Sequence, residues 1–128
     1  WSTIGDYSRF CMAIENFGEL DGFRILNPET VRFMTQNHLS PSINREKPLH
    51  ERNRFGLGFG IQPPVMTSKG FRGGGRWTWG GAACTYFFID PSQNITAVFA
   101  TQLFPFDHGL NGEFHHIVLE SLAQKQMD

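Results

Sequence analysis

Apolar residues recur at Ile4, Tyr7, Phe10, Cys11, Ile14 and Phe17, the three-and-four spacing of one helix face, so the chain is predicted to open on a helix. Ser2 or Thr3 stands where an N-cap belongs, Asp6 falls where a carboxylate favours the helix dipole, and Gly18 is the expected left-handed stop. Asp21-Gly22 reads as a turn into a short segment at residues 23–26. Asn27-Pro28 then supplies a cap and first-turn proline for a second helix that should end near Asn37-His38. Residues 40–53 are polar, carry Pro41 and Pro48 and mix both signs of charge, which predicts a flexible loop.

The second half changes period. Residues 55–61 alternate glycine with apolar residues and read as a strand whose glycines permit close backbone approach; they fit neither the dinucleotide nor the phosphate-loop glycine pattern. Gly73-Gly74-Gly75 reads as a turn feeding the strand that follows. Residues 85–89 and 95–103 predict a hairpin around Asp90-Pro91-Ser92-Gln93, with proline at the second position of a type I turn. Both strands are apolar on both faces and must be covered twice. One cover is a last helix over residues 112–126, with Phe114, Ile117, Val118, Ser121 and Leu122 on its inner face; the other is the first two helices, or parts outside the chain. The expected class is α+β, an antiparallel sheet flanked by helices.

With 128 residues the chain is one domain's worth, and a formal net charge of −1 offers no basic face for nucleic acid or an anionic membrane surface. No apolar run approaches the roughly 20 residues of a membrane-spanning helix. A small molecule or another polypeptide is the expected partner. Two cysteines make no disulfide framework, and Cys11 on the first helix stripe reads as a small buried hydrophobe. His115-His116 with Asp107, His108 and Glu113 suggests a metal cluster at first sight. Adjacent helical residues point about 100 degrees apart, so no metal and no cofactor is expected. No Gly-x-Ser-x-Gly elbow selects a nucleophilic serine either.

The run Trp79-Gly80-Gly81-Ala82-Ala83-Cys84-Thr85-Tyr86-Phe87-Phe88-Ile89-Asp90-Pro91 resembles the third active-site motif of the penicillin-recognising serine hydrolases. That motif reads Lys-Thr-Gly or His-Thr-Gly, and often Trp-Gly-Gly in the esterase and class C-like branch. Three further segments match in order: Trp1 to Phe10, Gly18 to Val31, and Phe55-Gly56-Leu57-Gly58-Phe59-Gly60. Asp90-Pro91 and the strand after it match the final hairpin. The resemblance implies the C-terminal part of the β-lactamase/transpeptidase-like fold and hydrolysis of an ester or amide through an acyl-enzyme. It implies that the Ala82 N–H is one oxyanion donor, the nucleophile's own N–H being the other. Gly80 and Gly81 would leave room for the substrate, and Trp79 would wall the acyl pocket. Trp79 in place of a cation points to a carboxylesterase-like substrate rather than efficient penicillin hydrolysis. Cys84 departs from the family, which usually has glycine there, and puts the local backbone in question.

The family's Ser-x-x-Lys box is missing. Ser42 is followed three places on by Arg45, Ser68 by Phe71, Ser92 by Ile95 and Ser121 by Gln124, and neither Tyr7 nor Tyr86 begins a Tyr-x-Asn box. Residues 1–128 therefore read as a single partial domain, the C-terminal half of a larger hydrolase, inactive alone. They are expected as a homo-oligomer or paired with the missing N-terminal part through the strand at 95–103. A rival reading, a non-catalytic α+β binding or self-association module, draws on the missing nucleophile. Nothing in these residues assigns a localisation.

Overall fold

The computed structural model describes residues 2–40, 54–62, 65–67, 70–72, 75–107 and 109–125. It is an α+β fold with the helices α1 (Ile4–Glu15), α2 (Pro28–Met34) and α3 (Leu110–Lys125). Its main sheet is antiparallel, in the order β3 (Arg54–Phe55), β4 (Gly60–Gln62), β7 (Arg76–Gly80), β8 (Tyr86–Asp90), β9 (Ile95–Phe99). Two small hairpins stand outside it: β1 (Glu19–Leu20) with β2 (Phe23–Arg24), and β5 (Val65–Thr67) with β6 (Gly70–Arg72). No described helix is long and apolar enough to cross a membrane. The 41–53 portion of the expected loop, and Gly73-Gly74, lie outside the described residues.

Thr3 is the cap of α1: its hydroxyl oxygen accepts from the Asp6 N–H at 3.0 Å and donates to the Asp6 carboxylate at 2.7 Å, which satisfies an otherwise orphaned first-turn donor. The helix ends one residue earlier than expected. Phe17 already has φ of 51°, and Gly18 follows at 91°, where a Cβ would lie 2.2 Å from the Leu26 carbonyl oxygen. Of the predicted stripe, Cys11 and Ile14 are fully buried, whereas Ile4 and Phe10 are exposed.

Other expectations are corrected too. The second helix stops at Met34 rather than near Asn37-His38: Asn37 Oδ1 accepts from the Phe55 N–H (3.0 Å) and the His38 N–H bonds to the Phe55 carbonyl (2.8 Å), so this segment is held as an extended neighbour of β3. Residues 55–61 are not one strand but a hairpin, turning at Gly58 with φ of 89° and closed by Gly56 N–H to the Phe59 carbonyl at 2.8 Å. Close approach holds at Gly56, where a Cβ would lie 2.0 Å from the Met34 carbonyl oxygen, and at Gly60, 3.1 Å from the Thr78 carbonyl oxygen, but not at Gly58, which has open space there. The last strand ends at Phe99, not residue 103.

β8 shows why both faces needed cover. Phe87 and Ile89 point into a core with Cys11, Ile14, Val31 and Phe59, beneath α1 and α2. Tyr86 and Phe88 point the other way, where Phe114 of α3 meets both rings edge-on and lies over Phe99 at 5.0 Å. The inner face of α3 is rotated from the expected one. Phe114, His115, Val118 and Leu122 are half-buried, whereas Ile117 and Ser121 are exposed. At the hairpin turn the Gln93 N–H bonds to the Asp90 carbonyl (3.2 Å), and the buried Asp90 carboxylate accepts from the Ser92 N–H, the Ser92 hydroxyl and the Gln93 amide. This is the expected tight turn, with the aspartate side chain filling it.

Candidate active site

Pairing places the Trp79-Gly80-Gly81 run. β7 pairs with β4 only from Gln62↔Arg76 to Gly60↔Thr78, but with β8 as far as Gly80↔Tyr86. The Gly81 N–H continues that second ladder to the Thr85 carbonyl at 2.8 Å. Backbone groups alternate in direction along a strand, so those of Gly80 aim away from β8, past the point where β4 has stopped. The strand end is thus open on one edge. Ala82 begins the turn after it, and among the described residues nothing accepts the Ala82 N–H.

Side chains around this end follow the same alternation. Trp79 shares a face with Phe87 and is 52% exposed; its ring meets Phe55 edge-on at 4.8 Å and lies over Gly60, where a Cβ would be 3.5 Å from the indole. Two clefts flank the strand. One, of about 330 Å³, lies on the α1 side between Ile4, Tyr7, Trp79, Gly81, Thr85 and Val98. The other, of about 340 Å³, is wider open and lies on the α3 side, walled by Trp79, Gly80, Ala82, Tyr86, Phe106 and Asn111.

The neighbours crowd both glycines, Gly80 tightly and Gly81 prohibitively. A Cβ on Gly80 would lie 3.2 Å from the Thr85 carbonyl oxygen and 3.4 Å from Asn111 Nδ2; one on Gly81 would lie 2.3 Å from Thr85 Oγ1. Asn111, on the first turn of α3, keeps its buried Oδ1 unpaired among the described residues.

Cys84 closes the turn. Its N–H bonds to the Gly81 carbonyl at 3.1 Å, and its backbone is left-handed at φ 57°, the conformation in which glycine costs nothing. The position thus has the geometry a glycine would suit, with the cysteine accommodated by full burial and by the Asp107 N–H donating to its sulfur at 3.1 Å.

Three titrating groups are displaced. Burial, reinforced by Glu15, pushes the Cys11 thiol up to about 12, so it is inert as a nucleophile. Burial also raises Tyr7, keeping its phenol protonated. Burial first, and then the Arg76 guanidinium beside it, lower His115 to about 4; the neutral imidazole pairs with Arg76 and lies edge-on to Phe88. His115 is thus committed to the α3–sheet contact, and His116 to an exposed pair with Glu120. Among the described residues no group of three or more His, Cys, Asp or Glu side chains is arranged to hold a metal ion.

The four residues singled out in the sequence, Trp79, Gly80, Gly81 and Ala82, share one strand end between two clefts. Sequence reasoning missed Thr85, Asn111 and Phe106, which reach the site from β8's entry, α3 and the loop before α3. Only Thr85, four residues past Gly81, carried any local signal. Tyr7 was legible as part of a helix stripe, not as a cleft wall.

Comparison with known proteins gives a consistent picture. The family model described as Beta-lactamase matches residues 1–120. Two proteins of Mycobacterium tuberculosis, Uncharacterized protein MT1414 of strain CDC 1551 / Oshkosh and Protein Rv1367c of strain H37Rv, are each 34% identical over 112 residues, covering 82% of this chain. The chain spans 28% of the length of these curated relatives. Among solved structures, unliganded simvastatin synthase (LovD) from Aspergillus terreus superposes with a TM-score of 0.74 at 24% identity, covering 97% of this chain and 35% of its own. Its selenomethionyl derivative gives 0.75 at 23%, covering 97% and 34%. At that identity the likeness is one of fold.

Proposed function

The chain belongs to the Beta-lactamase family, and on that premise we propose that it is the C-terminal part of a serine acyl hydrolase, acting on a small-molecule ester or amide. The observation that carries this is the end of β7: it outruns β4, has a cleft on each face, and leads to an Ala82 N–H with no acceptor among the described residues. A substrate acyl group laid along that edge would place its carbonyl oxygen on the Ala82 N–H, a donor fixed before reaction begins. Gly80 and Gly81 keep the approach clear, and Trp79, braced by Phe55, walls the acyl group.

The nucleophile and its base come from a Ser-x-x-Lys box and a Tyr box elsewhere in the complete polypeptide. The serine attacks the acyl carbon, the alcohol or amine leaves with a proton from the base, and water releases the acid from the acyl-enzyme. With an exposed aromatic at position 79 instead of a cation, the site favours neutral acyl esters over substrates that carry a carboxylate. The outer edge of β9, which ends the sheet among the described residues, pairs with a strand of that same polypeptide or of a second copy.

The test is a comparison of p-nitrophenyl ester turnover by the intact polypeptide and by residues 1–128 alone. Turnover by the first and none by the second is the expected result. Turnover by residues 1–128 alone, or by neither, contradicts the reading, and the second outcome favours a non-catalytic binding module.

A further inference from the structure

We infer that Thr85 is a specificity-determining residue: its hydroxyl reads an oxygen substituent on the second or third carbon of an otherwise apolar acyl chain held in the α1-side cleft. The inference rests on the reading of Trp79-Gly80-Gly81 as the acyl-binding strand.

Threonine hydroxyls on and around the sheet are otherwise engaged. Thr78 donates to the Phe87 carbonyl at 2.7 Å, Thr96 donates to Glu15 at 2.8 Å, and Thr101 accepts from the Leu103 N–H at 3.0 Å. Thr85 is different. Its carbonyl is bonded to the Gly81 N–H, yet among the described residues its hydroxyl has no partner, although the residue lines the cleft. The hydroxyl is also fixed in place: it sits where a side chain on residue 81 would go, 2.3 Å from that Cβ position, on a β-branched side chain whose χ1 is stiff.

The surroundings define the ligand. Ile4, Phe87, Val98 and Phe99 give the cleft an apolar lining, so an alkyl chain is favoured; Ser2 and Tyr7 also line it, and of the three hydroxyl-bearing residues Thr85 is the one set against Gly81. Gly81 precedes Ala82, and consecutive Cα atoms are about 3.8 Å apart. A hydroxyl lying against Gly81 is therefore one residue along the chain from the Ala82 N–H, and the acyl carbons beyond the carbonyl, the second and third, are the ones a chain in this cleft would bring towards it. A hydroxyl or carbonyl oxygen there can exchange a hydrogen bond with Thr85; an unsubstituted chain leaves it unpaired.

The experiment compares kcat/KM of the intact polypeptide for p-nitrophenyl 3-hydroxybutyrate and p-nitrophenyl butyrate, in the wild type, Thr85→Val and Thr85→Ser. The wild type should favour the hydroxy ester roughly fivefold to tenfold, the scale of one neutral hydrogen bond. Thr85→Val, of nearly the same shape, should abolish that ratio, and Thr85→Ser should keep it. A wild-type ratio near one, or a ratio unaltered in Thr85→Val, overturns the inference while leaving the hydrolase reading intact. Absence of turnover of either ester by the wild type overturns both. Should Thr85→Val not fold, as judged by circular dichroism, the ratios in the wild type and in Thr85→Ser decide the matter.

Discussion

Replacing Gly81 with alanine adds a single carbon at a point 2.3 Å from Thr85 Oγ1, where ordinary contact begins near 3.4 Å. Roughly 1 Å of movement has to be found. Thr85 yields little, since its side chain is β-branched and its carbonyl is held by the Gly81 N–H at 2.8 Å just before β8 begins. The displacement therefore falls on the end of β7 and on the Ala82 N–H that follows it. Overpacking of this kind costs about 1–3 kcal/mol of stability. Misplacing an oxyanion donor costs about 10²–10³ in kcat, since the hydrogen bond is formed to the transition state rather than to the ground state. In the intact polypeptide, Gly81→Ala should lower kcat for p-nitrophenyl acetate roughly a hundredfold with a small change in KM. Removing the obstacle should undo it: with Thr85→Ala only the Thr85 Cβ remains, at 3.7 Å, and the double variant should regain at least tenfold in kcat. Wild-type kcat in Gly81→Ala, or no recovery in the double variant, would refute the placement of the oxyanion donor.

Cys84→Gly should leave stability within about 1 kcal/mol of wild type, because relief of the left-handed backbone offsets the lost sulfur contact with Asp107, whereas Cys84→Val should cost more than about 2 kcal/mol in urea titration. Equal effects of the two would dismiss the backbone explanation. Folding should also depend on pH through His115. Its ordinary value is 6.5 and it falls to about 4 in the fold, so between those values the unfolded chain binds the extra proton; stability is full above about pH 6.5 and declines as pH drops towards 4. His115→Gln should flatten that part of the profile, and an unchanged slope would assign the acid sensitivity elsewhere. Light scattering on residues 1–128 alone should show a dimer or larger species joined through the edge of β9, and a stable monomer at micromolar concentration would count against that edge as a pairing surface.

What could be read from the sequence was what local physics decides. The cap of α1, the Asp90 turn, the two-sided burial of β8 and the glycine-paired strand end each depend on residues a few places apart. Misplaced features depended on distant partners. α2 stops early because Asn37 and His38 are claimed by Phe55, and the inner face of α3 rotates because His115 finds Arg76 and Phe88, neither of which its own period reveals. The glycines at 56, 58 and 60 looked alike in sequence but serve three purposes: contact with Met34, a left-handed turn, and close pairing against the Thr78 carbonyl. Of the proposed site, the strand carrying Trp79 to Ala82 was legible through its resemblance to a known motif. Thr85 and Asn111 were not, since their places beside Gly81 and Gly80 exist only after β8 and α3 have packed.

The central claim, that this chain completes the site of a serine acyl hydrolase whose nucleophile lies outside it, is tested most directly by labelling the intact polypeptide with a fluorophosphonate and mapping the adduct by peptide mass. The account predicts one adduct, on the serine of a Ser-x-x-Lys box beyond residues 1–128. An adduct on any of the seven serines of residues 1–128, or no adduct at all, would contradict it.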